Sequence, residues 1–171
     1  MTIVILARHG ETDWNRESRW QGWADPPLND LGRRQAAELA ERLRDVPFDA
    51  VYTSDLRRAH ETAEIVAAPH GVPVVTDPGL REIDVGSWSG LTKAEIDERF
   101  GGERPDGETH EQHRERVRAA AARLVAAHPD ARILLVCHGG TMRALAETFE
   151  GPIENCAVIE LRWADGRLVA A

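Results

Sequence analysis

Arg8, His9 and Gly10 stand where an apolar stretch, residues 3–7, gives way to a polar segment, "LARHGETDWN". A neutral imidazole is a nucleophile and can attack phosphorus to form a phosphohistidine. A guanidinium beside it disfavours a second positive charge, which helps keep the histidine neutral, and binds phosphate oxygens bidentately. Glycine after the histidine lets the backbone approach a ligand closely. Two further segments carry related chemistry. "TSDLRRAHET", residues 53–62, supplies Arg57 and Arg58. "CHGGT", residues 137–141, supplies His138, with Gly139 and Gly140 ahead of a predicted helix whose N-terminus favours anions. A leaving alkoxide needs a proton, and "LREIDVGSWSG", residues 80–90, offers Glu82 and Asp84 in a glycine-rich loop. A phosphate dianion raises the pKa of a nearby carboxyl, which helps keep such an acid loaded.

These side chains need a scaffold that brings separate loops together. Residues 3–7, 50–53 and 133–137 are apolar, β-branched runs that read as buried strands, and each ends at one of the loaded segments. Residues 72–76 form a shorter candidate. Residues 157–163 and 167–170 flank Asp165-Gly166, a hairpin turn signal. Helical spacing marks residues 30–43, 56–68, 93–100, 111–127 and 141–149. Strands alternating with helices predict an α/β fold, a three-layer α/β/α arrangement with a mostly parallel central sheet and an antiparallel C-terminal edge. In such sheets ligands bind outside the carboxyl ends of the strands, where the three loaded segments fall. The loop 101–107, with Pro105 and three glycines, is the expected surface excursion.

Composition narrows the partners. The 171 residues suit one domain spanning 1–171, and 42% hydrophobic with 29% charged content describes an ordinary globular chain. The net charge is -8, and no run of Lys and Arg suggests a nucleic-acid face. Net acidity is compatible with an anionic substrate held in a small cationic pocket. No segment has the length of a membrane span, and the apolar start is too short for a signal peptide. Cys137 and Cys156 are too few for a disulfide framework and read as reduced thiols of a cytoplasmic protein. The amphipathic faces serve a monomer or a homodimer equally.

The motifs together resemble those of the histidine phosphatase superfamily, on its phosphoglycerate-mutase-like branch, over roughly residues 3 to 150. "RHGETDWN" is similar to that family's nucleophile motif, which implies His9 as the phosphorylated residue and Arg8 and Asn15 as phosphate contacts. "QGWADPPLNDLGRRQA" resembles the segment in which Gln21 and Gly22 would touch the phosphate. The resemblance of "SDLRRA" selects Arg58 over Arg57 as the second clamp, and that of "LREIDVGSWSG" selects Glu82 over Asp84 as general acid. "CHGG" resembles the second-histidine motif, which implies His138 as a phosphate-stabilising partner. "PDGET" is similar to the turn P-G-G-E-S that opens a helix in many members. Ser89 stands where many members have Glu, and Asp106 replaces the first glycine of that turn.

The resemblance implies a phosphomonoesterase for small phosphorylated metabolites, working by double displacement with no cofactor and no metal. Its alternatives are a phosphoglycerate mutase and a non-catalytic phosphate-binding domain. The mutases resembled carry a longer insertion between the acid and second-histidine motifs, whereas here 55 residues separate Glu82 from His138 and the chain ends soon after. That leaves little material for a water-excluding lid, and hydrolysis is expected. Cys137 and Arg143 also form C-x5-R, the spacing of cysteine-dependent phosphatases, but a thiol inside an apolar strand is inert. Trp14, Trp20 and Trp23 either roof the pocket or pack as ordinary aromatics, whereas Trp88 and Trp163 read as core. His60, His70 and His128 read as surface or helix-end residues. "HEQH", residues 110–113, reads as a solvated polar helix face.

Overall fold

The computed structural model describes residues 1–146 and 149–170. Along the chain run β1 (Ile3–Arg8), α1 (Asp13–Arg16), α2 (Asp30–Leu43), β2 (Ala50–Thr53), α3 (Arg57–Ala67), β3 (Val74–Thr76), α4 (Lys93–Phe100), α5 (His110–Ala127), β4 (Arg132–Cys137), α6 (Gly139–Leu145), β5 (Val158–Ala164) and β6 (Arg167–Ala170). The strands form one sheet in the order β3-β2-β4-β1-β5-β6. The first three pairings in that order are parallel, and β5 and β6 add an antiparallel edge.

The apolar runs are continuous because both faces of the central strands are covered. Val4 and Leu6 of β1, with Ile133, Leu135 and Cys137 of β4, pack against Val117, Ala121 and Leu124 of α5 and Met142 of α6. The alternate residues Ile5, Ala7, Leu134 and Val136 face Ala36 and Leu39 of α2 and Ala59, Ala63 and Val66 of α3. The sheet is thus the middle of three layers, as the alternation of elements predicts. Each fully buried leucine or isoleucine contributes about 1.5–3 kcal/mol, so the two helical layers fix the plane of the strand ends firmly.

Local signals set the boundaries. Asn29 caps α2 by accepting from the Gly32 N–H at 2.8 Å. The β5–β6 turn has Asp165 and Gly166 at φ 50° and 77°, the left-handed pair that a two-residue hairpin needs. β3 begins at Val74 rather than residue 72, because it pairs only with the three residues Val51, Tyr52 and Thr53 of β2. The helix expected over 141–149 starts two residues earlier and runs to Leu145; residues 147 and 148 lie outside the described residues.

The β1–α1 loop approaches α2 backbone to backbone. A Cβ on Gly10 would meet the Gly32 carbonyl oxygen at 2.4 Å, and one on Gly32 would meet that of Glu11 at 2.1 Å. Only glycine at both places permits this contact, which seats the loop carrying His9 on the first turn of α2.

Candidate active site

The segments that follow the carboxyl ends of β1 and β2 deliver Arg8, His9 and Arg58 to a cavity of about 860 Å3, a size ordinary for small-molecule sites, and the end of β4 places His138 beside His9. His9 is 3% exposed and His138 is fully buried, with ring centroids 5.2 Å apart. The His9 Nδ1 lies 2.6 Å from the Gly10 carbonyl oxygen. A carbonyl can only accept, so Nδ1 carries the hydrogen and Nε2 keeps its lone pair. The His9 backbone N–H donates to Cys137 at 3.0 Å, which ties the β1 end to β4.

Burial and the Arg58 and Arg8 guanidinium groups hold His9 well below the usual histidine range, so it is neutral at neutral pH. Burial also pushes His138 far down, with Arg58, His9 and Arg8 adding to the effect. Arg58 is 1% exposed, which is rare for a guanidinium. Its Nη1 and Nη2 each donate at 2.8 Å, to the carbonyls of Ala24 and Gly22. Burial lowers its pKa to about 10, so it remains a cation. Arg8 donates to the Ile153 carbonyl at 2.5 Å. The Nε atoms of Arg8 and Arg58 and both ring nitrogens of His138 are buried without a hydrogen-bond partner. Four such atoms, on two arginines that line the cavity and on the histidine beside His9, match the demands of an oxyanion rather than of a packed core. Arg57 is exposed on the surface of α3.

Glu82 lines the same cavity, whereas Asp84 does not. Its Oε1 accepts from the Ile83 N–H at 2.9 Å and its Oε2 from the Gly140 N–H at 3.0 Å. Asp84 instead folds back on its own loop and accepts from the Gly86 N–H. The acid loop is braced by Arg116 of α5, which donates to the carbonyls of Gly79, Arg81 and Glu82 at 3.0–3.1 Å. Both carboxylate oxygens of Glu108 pair with that guanidinium at 2.7 Å. Asp106 takes up the N–H and hydroxyl of Ser87 at 2.6 Å, so the 101–107 excursion is pinned to the acid loop where it turns toward α5.

Asn15, Gln21, Gly22 and Gly139 all line the cavity. The Asn15 Oδ1 serves the cap of α1 with Thr12, and the Gln21 Oε1 accepts from the Thr12 hydroxyl at 2.9 Å. Each amide is left with its NH2 donors. Gly22 sits at φ 51°, the left-handed conformation from which its carbonyl meets Arg58. Of the tryptophans, Trp20 lines the cavity at 44% exposure. Trp23 donates to the Glu82 carbonyl at 2.8 Å beneath the Arg81 guanidinium. Trp14 packs against Gly90 instead. Trp88 is not core: it lies half-buried on a one-turn helix, edge-on to Trp20. Trp163 is partly buried against the α5 side of the sheet.

The expected polar face of "HEQH" is also corrected. His110 is exposed, but His113 is buried, lines the cavity and stands beside Glu82. The signal that could have found it is spacing, since His113 falls one turn before Val117 on the apolar stripe of α5. Cys137 is fully buried and its thiol is raised to about 12 by burial, which removes it as a thiolate nucleophile. Among the described residues no cluster of three or more His, Cys, Asp or Glu side chains is arranged to hold a metal ion.

Comparison with known proteins identifies relatives of this chain. The family model of the histidine phosphatase superfamily (branch 1) matches residues 4–170. The uncharacterized phosphatase PhoE of Bacillus subtilis is 38% identical over 88% of this chain and 79% of its own. The probable phosphoglycerate mutase GpmB of Cronobacter sakazakii is 37% identical over 88% of this chain and 76% of its own. The solved structure of the mycobacterial glucosyl-3-phosphoglycerate phosphatase Rv2419c, in complex with VO3, superposes with a TM-score of 0.86 at 34% identity, covering 97% of this chain and 94% of that one.

Proposed function

The chain belongs to the histidine phosphatase superfamily, and on that premise we propose that it hydrolyses small phosphomonoesters through a phosphohistidine on His9. The observation that carries this reading is the Gly10 carbonyl on the His9 Nδ1, which leaves Nε2 as a neutral nucleophile beside the partnerless nitrogens of Arg8, Arg58 and His138. In the first transfer the Nε2 lone pair bonds to phosphorus as the ester P–O bond breaks, and the Glu82 carboxyl gives its proton to the departing oxygen. In the second, water bonds to phosphorus, the P–N bond breaks, and the Glu82 carboxylate takes the proton from water. The Nδ1–H bond to Gly10 persists throughout and disperses the charge on the phosphorylated ring. Arg8, Arg58, His138 and the donors of Asn15, Gln21 and the Gly22 and Gly139 backbone hold the phosphoryl oxygens, the main task in such transfers.

Mutase relatives such as GpmB supply the alternative in which the phosphoryl group returns to a substrate. The exposed rim residues Trp20, Arg114 and Arg143 leave the cavity mouth open to water, which favours hydrolysis. Both thiols are free and buried, consistent with a reduced, cytoplasmic setting. Among the described residues no helix is long and apolar enough to cross a membrane. The residues assigned to this chemistry all lie on one chain, which suits a monomer or a homodimer.

Phosphate release from a panel of phosphomonoesters, run beside His9→Ala, tests the reading. Wild type is expected to turn over and to yield an acid-labile, alkali-stable phosphoprotein on quenching, and His9→Ala neither. Continued release by His9→Ala overturns the mechanism. Interconversion of phosphoglycerates faster than phosphate release makes the mutase reading the correct one, and ligand binding without turnover makes it a binding domain.

A further inference from the structure

The buried face of α5 runs His113, Val117, Ala120, Ala121 and Leu124, a helical stripe in which an imidazole occupies the place of an apolar side chain. At 4% exposure that substitution carries a desolvation cost unless the ring's polar atoms are used. The His113 Nε2 lies 3.3 Å from the Thr141 hydroxyl oxygen and 3.9 Å from Glu82 Oε1. The Thr141 hydroxyl donates its own hydrogen to the Arg81 carbonyl at 2.9 Å, so toward His113 it can only accept. Nε2 therefore carries the hydrogen, and that N–H lies between Thr141 and Glu82. Burial, the largest effect, and Arg116 oppose a proton on His113, whereas Glu82, Glu108 and the Arg81 backbone draw one, and the net effect lowers its pKa below the usual histidine range. His138, just ahead of α6, is in turn lowered by His113.

We propose that His113 is a positioning residue for proton delivery, holding the Glu82 carboxyl as it passes from acid to anion. The inference rests on the reading of Glu82 as general acid. Both carboxyl oxygens already accept a backbone N–H, from Ile83 and Gly140, and these two donors fix the plane of the group. The His113 N–H is a third donor, close to Oε1 but beyond hydrogen-bond length, so a side-chain shift of about 1 Å engages it. Charge develops on the carboxyl only as the proton leaves. An interaction that strengthens at that moment accelerates the transfer without tightening substrate binding. Thr141 keeps the imidazole in the tautomer that can do this.

The test compares kcat/KM, which reports the first transfer, for glycerol 1-phosphate and p-nitrophenyl phosphate. The alkoxide of the former needs a proton, and the nitrophenolate of the latter leaves with little help. Glu82→Gln is expected to lower the alkyl-to-aryl ratio of kcat/KM by about a hundredfold, within the range of general acid catalysis. His113→Leu is expected to lower the same ratio about tenfold, and His113→Gln, which keeps an N–H donor, to restore most of it. Thermal melts establish that each variant is folded. If His113→Leu lowers both substrates in equal proportion, or neither, while Glu82→Gln is selective, His113 is a packing residue and the proposal fails alone. If Glu82→Gln is itself unselective, the acid assignment falls and the proposal with it.

Discussion

An imidazole attacks phosphorus through a nitrogen that carries no proton, and at His9 a single backbone carbonyl selects that nitrogen. The same residue-scale logic separates two candidate nucleophiles that the sequence places 128 residues apart. Cys137 sits in an apolar strand with its thiol raised to about 12, so Cys137→Ser is expected to keep kcat/KM within about twofold, and to be as insensitive to iodoacetamide as wild type. Loss of turnover in that variant would return C-x5-R to contention. Gly140 offers a sharper probe, because a Cβ there would stand 2.3 Å from Glu82 Oε1. The atom that must move is the end of a side chain, not backbone. Gly140→Ala is therefore expected to fold normally while kcat for alkyl phosphates falls about a hundredfold, the cost of misplacing a reacting group by an ångström. Arg8, His9, Arg58, Glu82 and His138 were legible as candidates because each lies in a motif at a strand end, in a loop or in the first turn of a helix. His113 was not, because its neighbours His110, Glu111, Gln112, Arg114 and Glu115 make its segment look uniformly wet, and the burial of one member is decided by α6 and the acid loop packing over it.

At the scale of elements, β1, β2 and β4 were readable as apolar runs because helices cover both faces of the sheet, and the Asp165-Gly166 turn because its backbone needs positive φ. α1 and the one-turn helices around Pro78–Leu80 and Gly86–Trp88 have no period to detect, since a single turn shows no repeat. Arg116 was equally unreadable. Its worth lies in three carbonyls and a carboxylate that belong to other segments. The seat of the His9 loop on α2 yields an element-scale expectation that runs against helix propensity. Alanine normally suits a helix better than glycine, yet at Gly32 its Cβ would press on the Glu11 backbone. Gly32→Ala is expected to lower stability in urea melts by about 1–3 kcal/mol and to reduce kcat/KM together with it. A stabilised, fully active variant would mean that the loop yields freely.

For the whole molecule, the net charge of -8 and the cationic cavity belong to different surfaces, and substrate meets the second. Burying histidines in the neutral state links stability to pH. His9, His138 and His113 are held below the value of 6.5 that they regain on unfolding, so below that pH the unfolded chain binds more protons than the native one. Their contribution is intact above pH 6.5 and is lost as pH falls toward their native values, at up to about 1.4 kcal/mol per pH unit for each. Urea melts between pH 7.5 and 5.5 are expected to show this slope, and His138→Asn to flatten it. A slope unchanged by that substitution would assign the acid lability elsewhere.

The strand order bears, finally, on how the molecule is made. β1 leaves the ribosome before any other strand, yet both of its neighbours, β4 and β5, are encoded far downstream. β2 and β3 can pair soon after synthesis, while β1 remains an apolar segment with two open edges until β4 emerges. A nascent chain that has not reached β4 carries His9 without its scaffold, and it is most exposed to aggregation in that interval. The proposed activity therefore waits on β4, the strand that leads into His138.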